Sequence, residues 1–289
     1  MKTIGFIGLG LMGEAMSKNI VAKFDGTVLV YDINQDAINR LVVAGAKGAA
    51  SIEDIARNAD VVISMVPRSE HVREVYQQMM PYLHAGQITI DMSTIDPSVS
   101  VDISQQVNKT GAVMLDAPVV KSVPAAVKAE LGIYIGGDKA AWEKVKPVLS
   151  MMGCNQIHMG DNGRGLVMKM LHNVLVAGIQ NSVNEMLTAA DHYGISKANF
   201  HQAISYGGAT NFYLDSKINS LISEDYSTAF SLQNMSKDVN IMKTMLIESG
   251  LHLPGVNVVK NVYDRGLETG IGNEDFCATY KVVHNNAKN

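Results

Sequence analysis

The chain has 289 residues, 47% of them hydrophobic and 18% charged, a folded-protein composition long enough for two domains of ordinary size. With 24 basic against 28 acidic residues its formal net charge is −4, so neither a nucleic acid nor an anionic membrane is expected as a partner. Cys154 and Cys277 lie far apart and make no metal-ligand spacing, which favours free thiols in a reducing cytoplasm.

The opening MKTIGFIGLGLMGEAM places a lysine before an apolar run, as a secretory signal does. Glu14 interrupts that run, and its glycines suit a strand and turn better. No stretch of about 18 uncharged apolar residues occurs, so no membrane-spanning helix is expected. β-rich runs follow at 3–8, 27–31, 61–65, 87–92, 112–117, 131–136 and 156–159. Amphipathic helical stretches lie between them, as at 33–44, 69–83 and 97–109. This alternation predicts a parallel sheet covered on both faces. After Gly163 the character changes. GLVMKMLHNVLVAGIQNSVNEMLTAADHYG reads as one long helix stopped by Gly194, with further helices at 196–205, 236–249, 254–266 and 274–283. The expected organisation is an α/β domain over 1–162 and an all-α domain over 163–289, joined by the long helix. Its first turns are expected at the domain junction, a usual place for a ligand cleft.

Within IGFIGLGLMGEAM, Gly8, Gly10 and Gly13 have G-x-G-x-x-G spacing. A strand precedes the triplet, a helix follows, and VLVYD ends in an acid about 20 residues on, which together read as a dinucleotide loop. Gly8 permits the tight turn, Gly10 lets backbone approach a pyrophosphate, and Gly13 lets helix and strand pack closely. The segment Gly8, Leu9, Gly10, Leu11, Met12 and Gly13 is the candidate phosphate cradle at a helix N-terminus. Asp32 ends the second strand, where a carboxylate accepts hydrogen bonds from a ribose diol and repels a 2′-phosphate. Ile33, Asn34 and Gln35 follow with no arginine, which favours NAD over NADP.

On the long helix, His172 and Asn173 stand three and four positions after Lys169, so the three share a face. Polar groups on an apolar helix are costly when buried unless partnered. A lysine in a partly dry cleft suits hydride transfer between NAD and an alcohol: it can remove the hydroxyl proton or return one to a developing alkoxide. Burial lowers a lysine pKa and makes it usable in both directions.

With these residues in view, the chain resembles the β-hydroxyacid dehydrogenase family, which includes 3-hydroxyisobutyrate dehydrogenases and tartronate semialdehyde reductases. FIGLGLMGEAMSKNI is similar to the family's cofactor motif, DMSTIDP to its second cofactor-side segment, GRGLVMKMLHN to its G-x-x-x-K-x-x-N-N motif, and AFSLQNMSKDV to a late segment carrying a lysine. The resemblance implies a Rossmann-like domain followed by a helical domain, assembled as a homodimer or homotetramer through the long helix. It implies that Lys169 is the catalytic acid/base and that Asn173 holds the substrate or the lysine. Met65, Val66 and Pro67 would line the cofactor, Thr94 would lie near the nicotinamide, and Lys237 near the cofactor at the domain junction.

The sequence departs from the family pattern in two places. His172 replaces the first of two asparagines; it either contacts substrate or fills the same space with a hydrogen bond. In the loop where the family reads D-x-P-V-S-G-G, this chain has Val120, Lys121 and Ser122, and Ala129 where glycine is common. Lys121 either meets the substrate's acid group together with Ser122, or points to solvent and leaves the reading to Ser122 and the backbone.

The resulting expectation is an NAD-dependent oxidoreductase interconverting a short anionic 3-hydroxy acid and its semialdehyde. One alternative is a sulfolactaldehyde-type reductase in which Lys121 reads a sulfonate; another is a non-catalytic NAD-binding module, against which Lys169 speaks. 6-Phosphogluconate dehydrogenases are longer, and imine reductases of this fold usually lack the lysine. No metal site is expected, because His158, His172 and His192 are irregularly spaced. The Met and Leu residues of the second half read as core or subunit packing rather than a substrate box.

Overall fold

The computed structural model describes residues 1–287. The chain divides into two compact units, Met1–Lys169 and Met170–Asn289. The expected second domain runs to Asn289, and its last two positions lie outside the described residues.

In the first unit β1 (Thr3–Ile7), α1 (Leu11–Lys23), β2 (Thr27–Tyr31), α2 (Gln35–Val43), β3 (Lys47–Gly48), α3 (Ile52–Asn58), β4 (Val61–Ser64), α4 (Ser69–Met79), β5 (Ile88–Asp91), α5 (Pro97–Asn108) and β6 (Val113–Asp116) alternate along the chain. Then come β7 (Val119–Val120), α6 (Val123–Val127), β8 (Gly132–Gly136), α7 (Lys139–Ser150), β9 (Asn155–Gly160) and the start of α8 (Arg164–His192). The sheet order is β3-β2-β1-β4-β5-β6-β8-β7, with β9 paired to β8.

β3 to β6 pair in parallel, as when Ile4 lies between Val28 and Val61. The expectation of a parallel sheet is corrected at one edge: β8 runs antiparallel to β6 and to β7. Residues 121–131, which hold only the five-residue α6, are too short for a parallel crossover. The loop expected around Lys121 is thus flanked by a short strand, β7, and a short helix, α6.

Both sheet faces are buried, which explains the continuous apolar strands. Ile4, Phe6, Val30, Ile63 and Ile90 point to the face covered by Met16, Ile20 and Leu41 of α1 and α2, together with Val145 and Leu149 of α7. Ile7, Val62 and Met114 point to the other, covered by Ile55 of α3, Tyr76 and Met79 of α4, and Ile103 of α5. The period-two alternation of each strand divides its side chains between these two cores.

The second unit contains the rest of α8, then α9 (Lys197–Ile204), α10 (Phe212–Ser223), α11 (Leu232–Glu248), α12 (Pro254–Glu268) and α13 (Thr279–Asn286). Tyr213, Leu214, Met235, Val239 and Tyr263 pack with Ala177 and Leu187 of α8 in its core. Two expected helices shift. α11 starts at Leu232 because Ser231 caps it, accepting from the Asn234 N–H. The expected helix at 274–283 begins later, because Asp275 caps a single 3₁₀ turn at Phe276–Ala278 and α13 follows it.

Candidate active site

The turn after β1 needs glycine for its shape. Gly8 has φ +93°, and a Cβ there would lie 2.2 Å from the Met65 carbonyl oxygen. A Cβ on Gly13 would lie 1.9 Å from the Gly8 oxygen, so α1 can approach β1 only with glycine here. Gly10 is different, because a Cβ there would meet nothing within 4 Å. It faces open space and occupies the N-cap of α1, with no side chain capping that helix. Backbone N–H groups at an uncapped helix start favour negative charge. Leu9 is buried, Met12 is half-buried and Leu11 is exposed.

Asp32 follows β2 and is tied to this turn. Its Oδ2 accepts from the Leu9 N–H at 2.6 Å, and its Oδ1 from the Asn34 N–H at 2.8 Å. The half-buried carboxylate is thus fixed beside the loop it is expected to work with. An open cradle at Gly10, a free helix start and an oriented acid together fit a dinucleotide.

Met65, Val66 and Pro67 leave the end of β4, the first two half-buried and Pro67 exposed. The Val66 N–H donates to Ser93 Oγ at 2.9 Å, and Ser93 donates onward to Asp91 Oδ1 at 2.7 Å. Ser64 donates to the same oxygen at 2.8 Å. Asp91, fully buried, therefore joins the ends of β4 and β5 beside the half-buried Thr94. Burial pushes its carboxyl up to about 6, against the opposing hydrogen bonds from Ser93 and Ser64. Neither Asp91 nor its serines were singled out from the sequence, although DMST contains two of the three.

Asp116, at the end of β6, holds the beginning of α8. Its Oδ1 accepts from the Gly163 N–H at 2.7 Å and its Oδ2 from the Leu166 N–H at 3.0 Å. Burial raises its carboxyl pKa, while these backbone donors favour the charged form. Gly165 must be small, since a Cβ there would lie 2.6 Å from the Tyr134 carbonyl oxygen. A carboxylate remote in sequence thus supplies the cap for the helix that carries Lys169.

Lys169 is 8% exposed and Asn173, one turn further along α8, is 5% exposed. Asn173 donates through Nδ2 to Asp238 Oδ2 at 2.6 Å. Asp238 is itself buried, and Lys237 Nζ lies 3.4 Å from its other oxygen. The second unit thus brings Asn173 and Lys237 to one carboxylate, which the sequence reading missed. His172 is half-buried.

Lys121 is exposed and has φ +78°, and Ala129 has φ +57°. Both non-glycine residues occupy the left-handed region, at two of the three positions where the resemblance pointed to glycine; the third, Ser122, is extended. Ser122 is half-buried and stands at the N-cap position of α6. Among the described residues no cluster of three or more His, Cys, Asp or Glu could hold a metal ion, and no helix is long and apolar enough to cross a membrane.

A family model described as the NAD-binding domain of 6-phosphogluconate dehydrogenase matches residues 3–160. A second, described as NAD-binding of NADP-dependent 3-hydroxyisobutyrate dehydrogenase, matches residues 163–283. The chain is 32% identical to the NAD-dependent L-serine dehydrogenase of Pseudomonas aeruginosa, covering 98% of both chains. It is 30% identical to the mitochondrial 3-hydroxyisobutyrate dehydrogenase of Drosophila melanogaster, covering 98% of this chain and 89% of that one. The solved structure of Mycobacterium tuberculosis 3-hydroxyisobutyrate dehydrogenase with L-serine superposes with a TM-score of 0.91 at 26% identity, covering 98% of this chain and 99% of that one. From the glycine loop to the last helices, the chain belongs to the β-hydroxyacid dehydrogenase family of NAD-binding oxidoreductases.

Proposed function

We propose that this protein is an NAD-dependent dehydrogenase that interconverts a short 3-hydroxy carboxylate and the matching semialdehyde. The observation that carries the reading is the buried Lys169, on a helix whose first turn is fastened to Asp116. The cofactor, when bound, would accept the hydride as NAD in oxidation and supply it as NADH in reduction.

Lys169 moves the proton. In oxidation its neutral Nζ takes the proton of the substrate hydroxyl; in reduction its ammonium returns one to the carbonyl oxygen. Asn173 has Nδ2 committed to Asp238, so Oδ1 is the acceptor it has left for substrate or lysine. Lys121 and Ser122 meet the substrate's acid group, and His172 flanks it. Gly8, Leu9, Gly10, Leu11, Met12 and Gly13 hold the pyrophosphate, and Asp32 holds the adenosine ribose. Met65, Val66, Pro67 and Thr94 line the cofactor, with Lys237 beside it.

L-Serine belongs to the same substrate class, being a 3-hydroxy acid with a 2-amino group. Relatives named for L-serine oxidation or solved with L-serine place it in the first panel to test. The test follows absorbance at 340 nm with NAD and L-serine, 3-hydroxyisobutyrate and longer 3-hydroxy acids. Turnover that disappears in Lys169→Ala supports the reading. Tight NAD binding with no turnover on any of them, or on the aldehydes with NADH, would make this a binding module.

The proposed setting is a cytoplasmic homodimer or homotetramer, with the helical residues 163–289 on the substrate and subunit side. The free thiols of Cys154 and Cys277 support the compartment. Leu175 and Met186, 66% and 53% exposed on α8, support a covered helix face. Light scattering on the purified chain checks the subunit count.

A further inference from the structure

Beside the glycine loop lies an open cavity of about 280 Å³, lined by Leu9, Gly10, Asp32 and Ala37 together with Glu14 and Arg40. Arg40 is the one cation among its lining residues. Its Nε and Nη2 both donate to Glu14 Oε2, at 2.9 and 2.8 Å. The other Glu14 oxygen accepts from Lys18 Nζ at 2.7 Å. The two cations hold the Glu14 carboxyl below the usual range, so it is charged at neutral pH.

We infer that Glu14 is a second determinant of cofactor choice, which excludes a 2′-phosphate by withholding Arg40. The inference rests on the reading of this loop and Asp32 as the NAD site. A 2′-phosphate placed at Asp32 carries close to two negative charges and needs a guanidinium edge to receive it. Such recognition is bidentate, through two parallel N–H donors. The Nε–Nη2 edge of Arg40 has that geometry, stands in the same cavity, and is already occupied by a carboxylate. The lining therefore presents two acids, Asp32 and Glu14, against one arginine whose best edge is taken. Half of the Arg40 side chain is exposed against 21% for Glu14, so the guanidinium could turn toward a ligand once the acid is gone.

In the sequence, the preference for NAD rests on Asp32 alone, since no arginine follows it directly. The fold supplies an arginine two helical turns later, on α2, and neutralises it from α1.

The test is isothermal titration of the apo full-length chain with NAD and with NADP at low and moderate salt. The quantity read is the ratio of the two dissociation constants. Glu14→Ala is expected to shift that ratio about tenfold toward NADP, with the shift shrinking as salt rises. Glu14→Gln, which keeps the shape and loses the charge, is expected to shift it less and in the same direction. Adding Arg40→Ala to Glu14→Ala should remove the gain. An unchanged ratio in both single variants overturns the inference, as does a gain that survives loss of Arg40. Absence of measurable NAD binding by the unaltered chain would instead overturn the assignment of the site. Far-UV circular dichroism confirms that each variant is folded.

Discussion

Asp116 and the backbone of Gly163 stand 47 positions apart in the chain and meet in a 2.7 Å hydrogen bond. With the second bond, from Leu166, this fixes where α8 begins and so where Lys169 stands along the helix. Hydrogen bonds to a buried charged group are each worth about 1.5–3 kcal/mol, and stranded donors add to the loss. Asp116→Ala is therefore expected to lower stability in urea unfolding by about 3 kcal/mol and to lower kcat. Asp116→Asn, which keeps one acceptor oxygen, should lose less. An Ala variant within about 1 kcal/mol of the parent would show that α8 starts without this acid.

Lys169 is the proton carrier of the proposed reaction. General acid–base contributions are typically about 10²–10⁴ in rate. Lys169→Ala is expected to reduce kcat within that range, while NAD affinity by calorimetry changes by no more than a few-fold. Partial recovery of kcat by added small primary amines would identify the lost group as an amine. A kcat within about threefold of the parent would move the proton transfer elsewhere.

The geometry of the glycine turn proposed for the cofactor was legible because its signals are local. Gly8, Gly10, Gly13 and Asp32 occupy fixed offsets around one turn, and β2 was placed residue for residue at Thr27–Tyr31. Lys169 was legible as a cation on an apolar helix. The acids that hold these parts in place were not. Asp116, Asp91 and Asp238 find their partners 47, 27 and 65 positions away, and no local periodicity encodes such pairings. The antiparallel edge was illegible for a related reason: β7 is two residues long, and its direction is set by the short connection that follows it. Arg40 lies inside the helical stretch expected at 33–44, and nothing local to it encodes that α1 brings Glu14 to its guanidinium.

Lys121 and Ala129 both hold positive φ in the segment around α6, and a side chain in that region loses roughly 1–2 kcal/mol. Glycine relieves this, less its greater entropy in the unfolded chain. Lys121→Gly and Ala129→Gly are each expected to raise stability by about 0.5–1 kcal/mol. They should part company in kinetics. If Lys121 meets the substrate's acid group, its removal raises KM about tenfold, as for loss of a charge-assisted contact, while Ala129→Gly leaves KM unchanged. Equal KM in both variants would assign Lys121 to solvent.

Asp91 gives the chain a pH response of definite sign. Its carboxyl is pushed up to about 6 by burial, above its ordinary value near 4 in an unfolded chain. The folded state thus binds this proton more tightly than the unfolded state. The contribution is full below about pH 4 and is lost as pH rises toward 6, by roughly 2–3 kcal/mol in all. Glu14, Asp60 and Asp275 have lowered values and act in the opposite sense, so the total curve mixes both signs. Subtraction isolates Asp91. Asn at this position keeps an acceptor for Ser64 and Ser93 and resembles the protonated acid in carrying no charge. The stability of Asp91→Asn minus that of the parent should therefore climb by roughly 2–3 kcal/mol between pH 4 and pH 7, read from urea unfolding at each pH. A flat difference across that window would mean that Asp91 keeps its ordinary carboxylate behaviour inside the sheet.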